Sequence, residues 1–336
     1  MSSLNIVFMG TPDFSVPCLK VLAESEDNVS AVFTQPDKPK GRGYKMIPTP
    51  VKTAASEYNL PVYQPQSLRK GEDAEKALAI LRELNPDLII VTAYGQILPQ
   101  EILDLPKYGC INIHASLLPK YRGAAPIQWC ILNGEKKTGV TSMMMEAGLD
   151  TGDMLMKCET EIGENETAQE LWDRLSVMGG ELLSDTIKAL KAGELKREKQ
   201  DDSQSCYSPM IKKEMSSLDF SWDAHKIHNT IRGITGFTML NGKRLKIYRS
   251  ALLDKESSDS LNGEIIDADN FTVKCGDGKL IRFDEIQLEG SKRMKTADFL
   301  RGKKLIKGTV LAISSRKNTR KRSVWRLWQI QFPCQV

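Results

Sequence analysis

The stretch Asp87–Thr92 reads DLIIVT, an almost fully apolar run of only six residues. A run of this kind suits a strand buried on both faces, inside a sheet that helices cover on each side. Three comparable runs occur in the same part of the chain: Leu4–Met9, Ser30–Thr34 and Cys110–Ile113. Helical patterns separate them, from Pro12 to about Glu24, over Val51–Tyr58 and over Glu72–Leu84. The order strand, helix, strand, helix, strand, turn, strand predicts an α/β fold with a doubly wound parallel sheet. Gly139–Met145 adds another strand. Thr167–Ala192 predicts a long amphipathic helix, because Leu171, Leu175, Met178, Leu182 and Ile187 recur near helical spacing.

The pattern changes after Lys191–Ser208, a polar and charged stretch that suits a linker. Ser221 can cap a helix through about Arg232. Short alternating segments follow at Arg244–Arg249, Gly263–Ile266, Phe271–Lys274, Leu280–Ile286 and Thr309–Ile313, with turn signals at Asn241-Gly242, Asn262-Gly263 and Asp277-Gly278. This predicts a small OB-like β-barrel. A chain of 336 residues has room for both domains. The expected organisation is a first domain over 1–190, a linker over 191–208, a barrel domain over 209–315 and a basic tail over 316–336. The tail holds six Lys and Arg and no acid, and reads as a basic arm or a plain extension.

The net charge of +4 conceals an asymmetry. Residues 1–206 hold 22 Lys and Arg against 29 Asp and Glu, and residues 207–336 hold 25 against 14. A basic second half suits a polyanion such as nucleic acid; a solvated basic surface is the other reading. The segment Gln35–Pro50 adds Lys38, Lys40, Arg42 and Lys45 to four prolines and two glycines. It reads as a long exposed loop, able to grip phosphate or simply a surface excursion. Gly10-Thr11-Pro12 ends the first strand without the further glycines of GxGxxG or the Lys of a P-loop, so a structural turn or pocket floor is expected there.

Several classes drop out. No apolar run approaches the roughly 18–20 residues of a membrane span. The amino terminus enters a strand without a basic region and signal core, so a cytoplasmic protein is expected. The seven cysteines are odd in number and scattered, no CxxC occurs, and the three histidines form no ligand set with them. Neither a disulfide framework nor a metal site is expected.

The chemistry gathers in Asn112–Gly152. Asn112 and His114 lie two apart at the carboxyl end of a predicted strand, hence on one face, where open α/β sheets bind ligands. Asp150 follows in a loop flanked by Gly148 and Gly152. A carboxamide can donate to an oxyanion, a histidine can carry a proton near neutral pH, and a carboxylate can orient that histidine and stabilise its cation. The GxSxG elbow of a serine nucleophile is absent. The set therefore points to acyl-type transfer to an external nucleophile.

INIHASLLPKYRGAAPIQW, with AYGQILP upstream and GLDTGD downstream, resembles the 10-formyltetrahydrofolate-dependent formyltransferases. MGTPDF and TQPDKPKGRG are similar to the branch of that family acting on initiator methionyl-tRNA. The resemblance runs from Leu4 to about Leu311. It implies a Rossmann-like catalytic domain and an OB-like tRNA-binding domain, with catalytic Asn112, His114 and Asp150. It further implies a folate site at Ser116, Leu117, Leu118 and Pro119, with Tyr94, Gly95, Ile97 and Leu98 from the upstream motif. Contact with tRNA falls to Arg42, and also to Lys45, Lys38 and Lys40. The formyl donor is 10-formyltetrahydrofolate as co-substrate, with no metal, and the protein is expected to act as a monomer. One departure is GITGFTML, a shorter stretch than the family's Pro-Trp-Pro segment. The alternatives are formyl transfer to a small amine, which an acceptor comparison would distinguish, and an RNA-binding protein without catalysis, against which the intact Asn112, His114 and Asp150 speak.

Overall fold

The computed structural model describes residues 3–40 and 45–312, which divide into two compact units interleaved in sequence. The first unit contains residues 1–123, 138–160 and 172–205. Its sheet has seven strands in the order Met154–Glu161, Lys137–Met144, Cys110–His114, Leu88–Thr92, Asn5–Gly10, Asn28–Phe33, Val62–Tyr63. Leu88–Thr92 is buried at all five positions and lies between parallel neighbours, as its apolar run requires. Gly10 closes the first strand against the ring of Phe8 and the side chain of Ser15, where a Cβ would meet both within 3 Å. This glycine serves a close approach within a structural turn. The helix after it, Val16–Ala23, begins later than predicted, because Pro12 instead caps a short turn over Asp13–Ser15.

The sheet is mixed: the predicted parallel strands are joined by the further strand read at Gly139–Met145, whose direction the sequence pattern leaves open. Lys137–Met144 runs antiparallel to Cys110–His114, with Ile111 opposite Met144 and His114 opposite Thr141. The helix between these strands, Pro126–Leu132, is about 10 Å long. The basic segment also differs from a featureless loop. Lys38–Lys40 and Lys45–Ile47 pair antiparallel, with Lys38 opposite Ile47 and Lys40 opposite Lys45. Pro39 is tolerated there because a two-stranded ribbon consists only of edges.

The second unit contains residues 124–137, 161–171 and those from 206 onward. Its antiparallel sheet runs Gly236–Leu240, Lys243–Glu256, Lys279–Leu288, Thr272–Lys274, Ile265–Asp267. Val310 bridges to Glu264 and Ala312 bridges to Met239, so residues 310–312 join the first edge to the last. These bridges satisfy both edges and close a small barrel around Leu218, Ile247, Phe271 and Phe283. Asn241 and Gly242 both adopt positive φ, 49° and 75°, as a two-residue hairpin turn demands. The helix Ala224–Ile234 takes its cap from Asp223, whose carboxylate accepts from Lys226 N at 2.8 Å. The predicted cap, Ser221, lies too early, with its own N–H donating to Asp219.

On that helix His228 is buried; its Nε2 donates to Glu164 O at 3.0 Å, and its Nδ1 lies 2.9 Å from Ser250 Oγ. Burial holds this imidazole below its ordinary value of 6.5, partly opposed by the Glu164 hydrogen bond. The unfolded chain therefore takes up a proton below pH 6.5 that the folded chain resists. The associated stability is fully present above that value and falls as pH drops below it. Between pH 7.5 and 5.5 the loss should reach at most about 1.4 kcal/mol. Urea midpoints at the two pH values should move less in His228→Gln than in the parent; equal pH slopes would remove His228 as the cause.

Candidate active site

Asn112 and His114 project from one face of Cys110–His114. The strand is held on both sides, by Val91 opposite Asn112 and by Thr141 opposite His114. Asn112 is half-buried, and among the described residues its carboxamide has no protein hydrogen-bond partner. His114 is buried, with Nε2 2.9 Å from the carbonyl oxygen of Tyr121. A carbonyl only accepts, so Nε2 carries hydrogen and Nδ1 is the basic atom. Nδ1 faces Asp150 Oδ2 at 3.7 Å, too long for a hydrogen bond but close enough for ionic attraction once the ring is charged. Asp150 Oδ2 accepts instead from Gly123 N–H at 2.8 Å. The hydrogen bond that holds the ring thus runs to the Tyr121 carbonyl, with Asp150 at ionic distance from the other nitrogen. Gly123 has φ of 112°, which a residue with a Cβ rarely adopts.

The turn after His114 is tied to the antiparallel strand. Thr141 Oγ1 donates to Ser116 O at 2.7 Å and accepts from Leu118 N at 3.2 Å. Ser116 Oγ donates to Lys120 O, and Leu118 packs with Met143 and Met154. Leu117 and Pro119 are half-buried. The other expected folate residues divide by burial. Tyr94 and Leu98 belong to the core with Met9 and Val91, whereas Gly95 is open and Ile97 is 62% exposed. A half-buried amide without a partner, an exposed Ile97 and an open Gly95 stand at the carboxyl ends of adjacent parallel strands. That combination suits a ligand with both apolar and hydrogen-bonding surface. Cys110, on the same strand, is no nucleophile, since burial pushes its thiol up to about 12.

The formyl transferase family matches residues 4–187, and the family of its C-terminal domain matches 210–304. A methionyl-tRNA formyltransferase from Geobacter metallireducens is 51% identical over 92% of this chain and 98% of its own length. One from Clostridium novyi is 52% identical over 89% of this chain and 97% of its own. The chain belongs to the methionyl-tRNA formyltransferase family. Among solved structures, WlaRD, a sugar 3N-formyl transferase crystallised with dTDP and 5-N-formyl-THF, superposes with a TM-score of 0.64 at 21% identity. It covers 87% of this chain and 100% of its own, and so shares the formyltransferase fold.

Of the basic residues expected to meet tRNA, Lys38 is exposed on the ribbon, and Lys40 and Lys45 face each other in its register. Arg42 lies outside the described residues, as does the tail over 316–336. The root of the ribbon carries a contact that the sequence did not suggest. Lys52 Nζ donates to Asp37 Oδ2 and to Gln64 Oε1, both at 2.7 Å. The Lys52 hydrogen bond holds the Asp37 carboxyl below its ordinary value. Tyr121, Gly123 and Gln200 were also missed as site residues. The first two act through backbone atoms within the KYRG run, where only an out-of-place glycine could have signalled them. Gln200 lies in the stretch read as a linker. Yet Glu198 pairs with Met154, and Gln200 Nε2 reaches the carbonyls of Asp150 and Gly152. Among the described residues no group of His, Cys, Asp or Glu could hold a metal ion, and no helix is long and apolar enough to cross a membrane.

Proposed function

We infer that this chain transfers the formyl group of 10-formyltetrahydrofolate to the α-amino group of methionine esterified to initiator tRNA. The reaction prepares that tRNA for translation initiation. About half-identity to methionyl-tRNA formyltransferases over nearly the whole chain carries the substrate pair. The pairing of an unpartnered Asn112 amide with a His114 Nδ1 that makes no hydrogen bond and faces Asp150 supports the residue roles. The amine nitrogen attacks the formyl carbon, and Asn112 Nδ2 donates to the oxygen as it gains charge. His114 Nδ1 takes the proton that the amine sheds, and Asp150 stabilises the resulting cation. His114 returns that proton to the folate nitrogen as its bond to the formyl carbon breaks, leaving tetrahydrofolate and formylated methionyl-tRNA. Serine and leucine backbone at 116–118, with Gly95 and Ile97, form the folate-facing wall. Lys38, Lys40 and Lys45 on the ribbon, and Arg42, meet the tRNA, together with the barrel domain over 209–315. The protein acts as a cytoplasmic monomer.

Formyl transfer should be measured with methionyl-tRNA, free methionine and a small ribonucleotide amine as acceptors, each at 50 and 200 mM salt. The expected result is transfer to the tRNA alone, weakening steeply with salt as released counterions oppose binding. Transfer to the small amine instead would retain the formyl chemistry and overturn the tRNA assignment.

A further inference from the structure

We infer that Gln200 is a positioning residue for the carboxylate of Asp150, an inference that rests on the formyl-transfer reading of the site. Asp150 sits in the left-handed region, with φ of 52°, uncommon for a residue with a Cβ though aspartate adopts it more readily than most. Two contacts hold it. Gly123 N–H fixes the side chain at 2.8 Å. Gln200 fixes the backbone: its Nε2 donates to Asp150 O and to Gly152 O, both at 2.8 Å. One carboxamide thereby spans the turn that aims Asp150 at His114.

Gln200 is itself oriented. Its Oε1 accepts from Arg122 Nε at 2.9 Å, and Arg122 Nη2 pairs with Asp202 at 2.8 Å. The oxygen of the amide is thus committed to a guanidinium, which leaves the NH2 group facing the two carbonyls; the reverse assignment would set oxygen against oxygen. Arg122 precedes Gly123, whose N–H grips the other end of Asp150. Residues 122–123 and Gln200 therefore form one clamp on both the backbone and the side chain of the aspartate. The 3.7 Å separation of Asp150 from His114 Nδ1 has no hydrogen bond of its own to preserve it. The clamp keeps the charge near the nitrogen that gains a proton.

Gln200 is half-exposed, so its replacement leaves no cavity in the core. Gln200→Met removes all three hydrogen bonds, and Gln200→Glu keeps the acceptor for Arg122 while losing both donations. Each should lower kcat by about 10- to 100-fold, the scale of a misplaced catalytic group. The KM values for 10-formyltetrahydrofolate and methionyl-tRNA should stay within about twofold. The same substitutions in an Asp150→Asn background should cost less than about twofold, because the effect passes through the carboxylate. A merely structural role would act equally in both backgrounds, and equal losses, or an unchanged kcat, would overturn the inference. Activity of the parent chain is read in the same assay: a parent inactive towards methionyl-tRNA would instead defeat the functional reading beneath it.

Discussion

Asn112→Ala should lower kcat for formyl transfer by about 10²–10³-fold while leaving both KM values nearly unchanged. The split follows from what the amide touches. Among the described residues it has no protein partner, so its removal breaks no bond within the fold. The strand keeps its register through backbone pairing with Val91 and Met143, which alanine preserves. The ground-state formyl oxygen carries little charge, so the donor matters chiefly when the carbon becomes tetrahedral and charge moves to that oxygen. A loss expressed in KM with normal turnover would make Asn112 a binding group; a normal value for both would remove it from the reaction. Thermal midpoints of the two proteins should agree, which separates the catalytic effect from a folding defect.

The parallel core of the sheet was legible because burial on both faces leaves an unambiguous mark. DLIIVT and the three runs like it can satisfy their apolar surface only between layers of helices. The reversed strand Lys137–Met144 left no such mark. Its burial is nearly complete and its composition is that of a central strand in either direction. Strand direction is set by how the strand pairs with its neighbour, which composition does not report. In the barrel, Asn241-Gly242 and Asp277-Gly278 announced two hairpins, since the positive φ of Gly242 and Gly278 restricts the residues allowed, whereas Asn262-Gly263 lies between strands that do not pair. Gly236–Leu240 went unseen because GFTML begins on the glycine required by close packing: a Cβ at Gly236 would come within 2.8 Å of Leu218.

The candidate site was legible in the same uneven way. Asn112 and His114 could be paired from the alternation of one short strand. Asp150 stood out through its flanking glycines, and the carboxylate does approach the imidazole. What sequence could not provide was the division of labour between them. The Tyr121 carbonyl and the Gly123 N–H are backbone atoms, present at every position and given meaning only by φ values of 60° and 112°. Gln200 is fifty residues from the carbonyl it braces. Its surroundings, KREKQDDSQS, read as solvated linker because nothing in their composition reports a long-range contact.

That division of labour sets the expectation for the histidine. His114→Gln should lower kcat by about 10²–10⁴-fold, the range for losing a general base and acid. A glutamine amide can still donate to the Tyr121 carbonyl, so the buried acceptor need not be abandoned. It offers no basic atom at the position of Nδ1. His114→Ala removes both functions, and should therefore combine a similar kinetic loss with a lower thermal midpoint, since it leaves a cavity and an unpaired carbonyl. The pair of variants separates the two ring nitrogens. If Nε2 only anchors and Nδ1 carries the proton, the kinetic defects should nearly coincide while the stabilities diverge. A His114→Gln enzyme with near-parent turnover would show that the proton leaving the amine reaches the folate nitrogen by a route that does not include the imidazole. Asp150 would then act on the substrate directly.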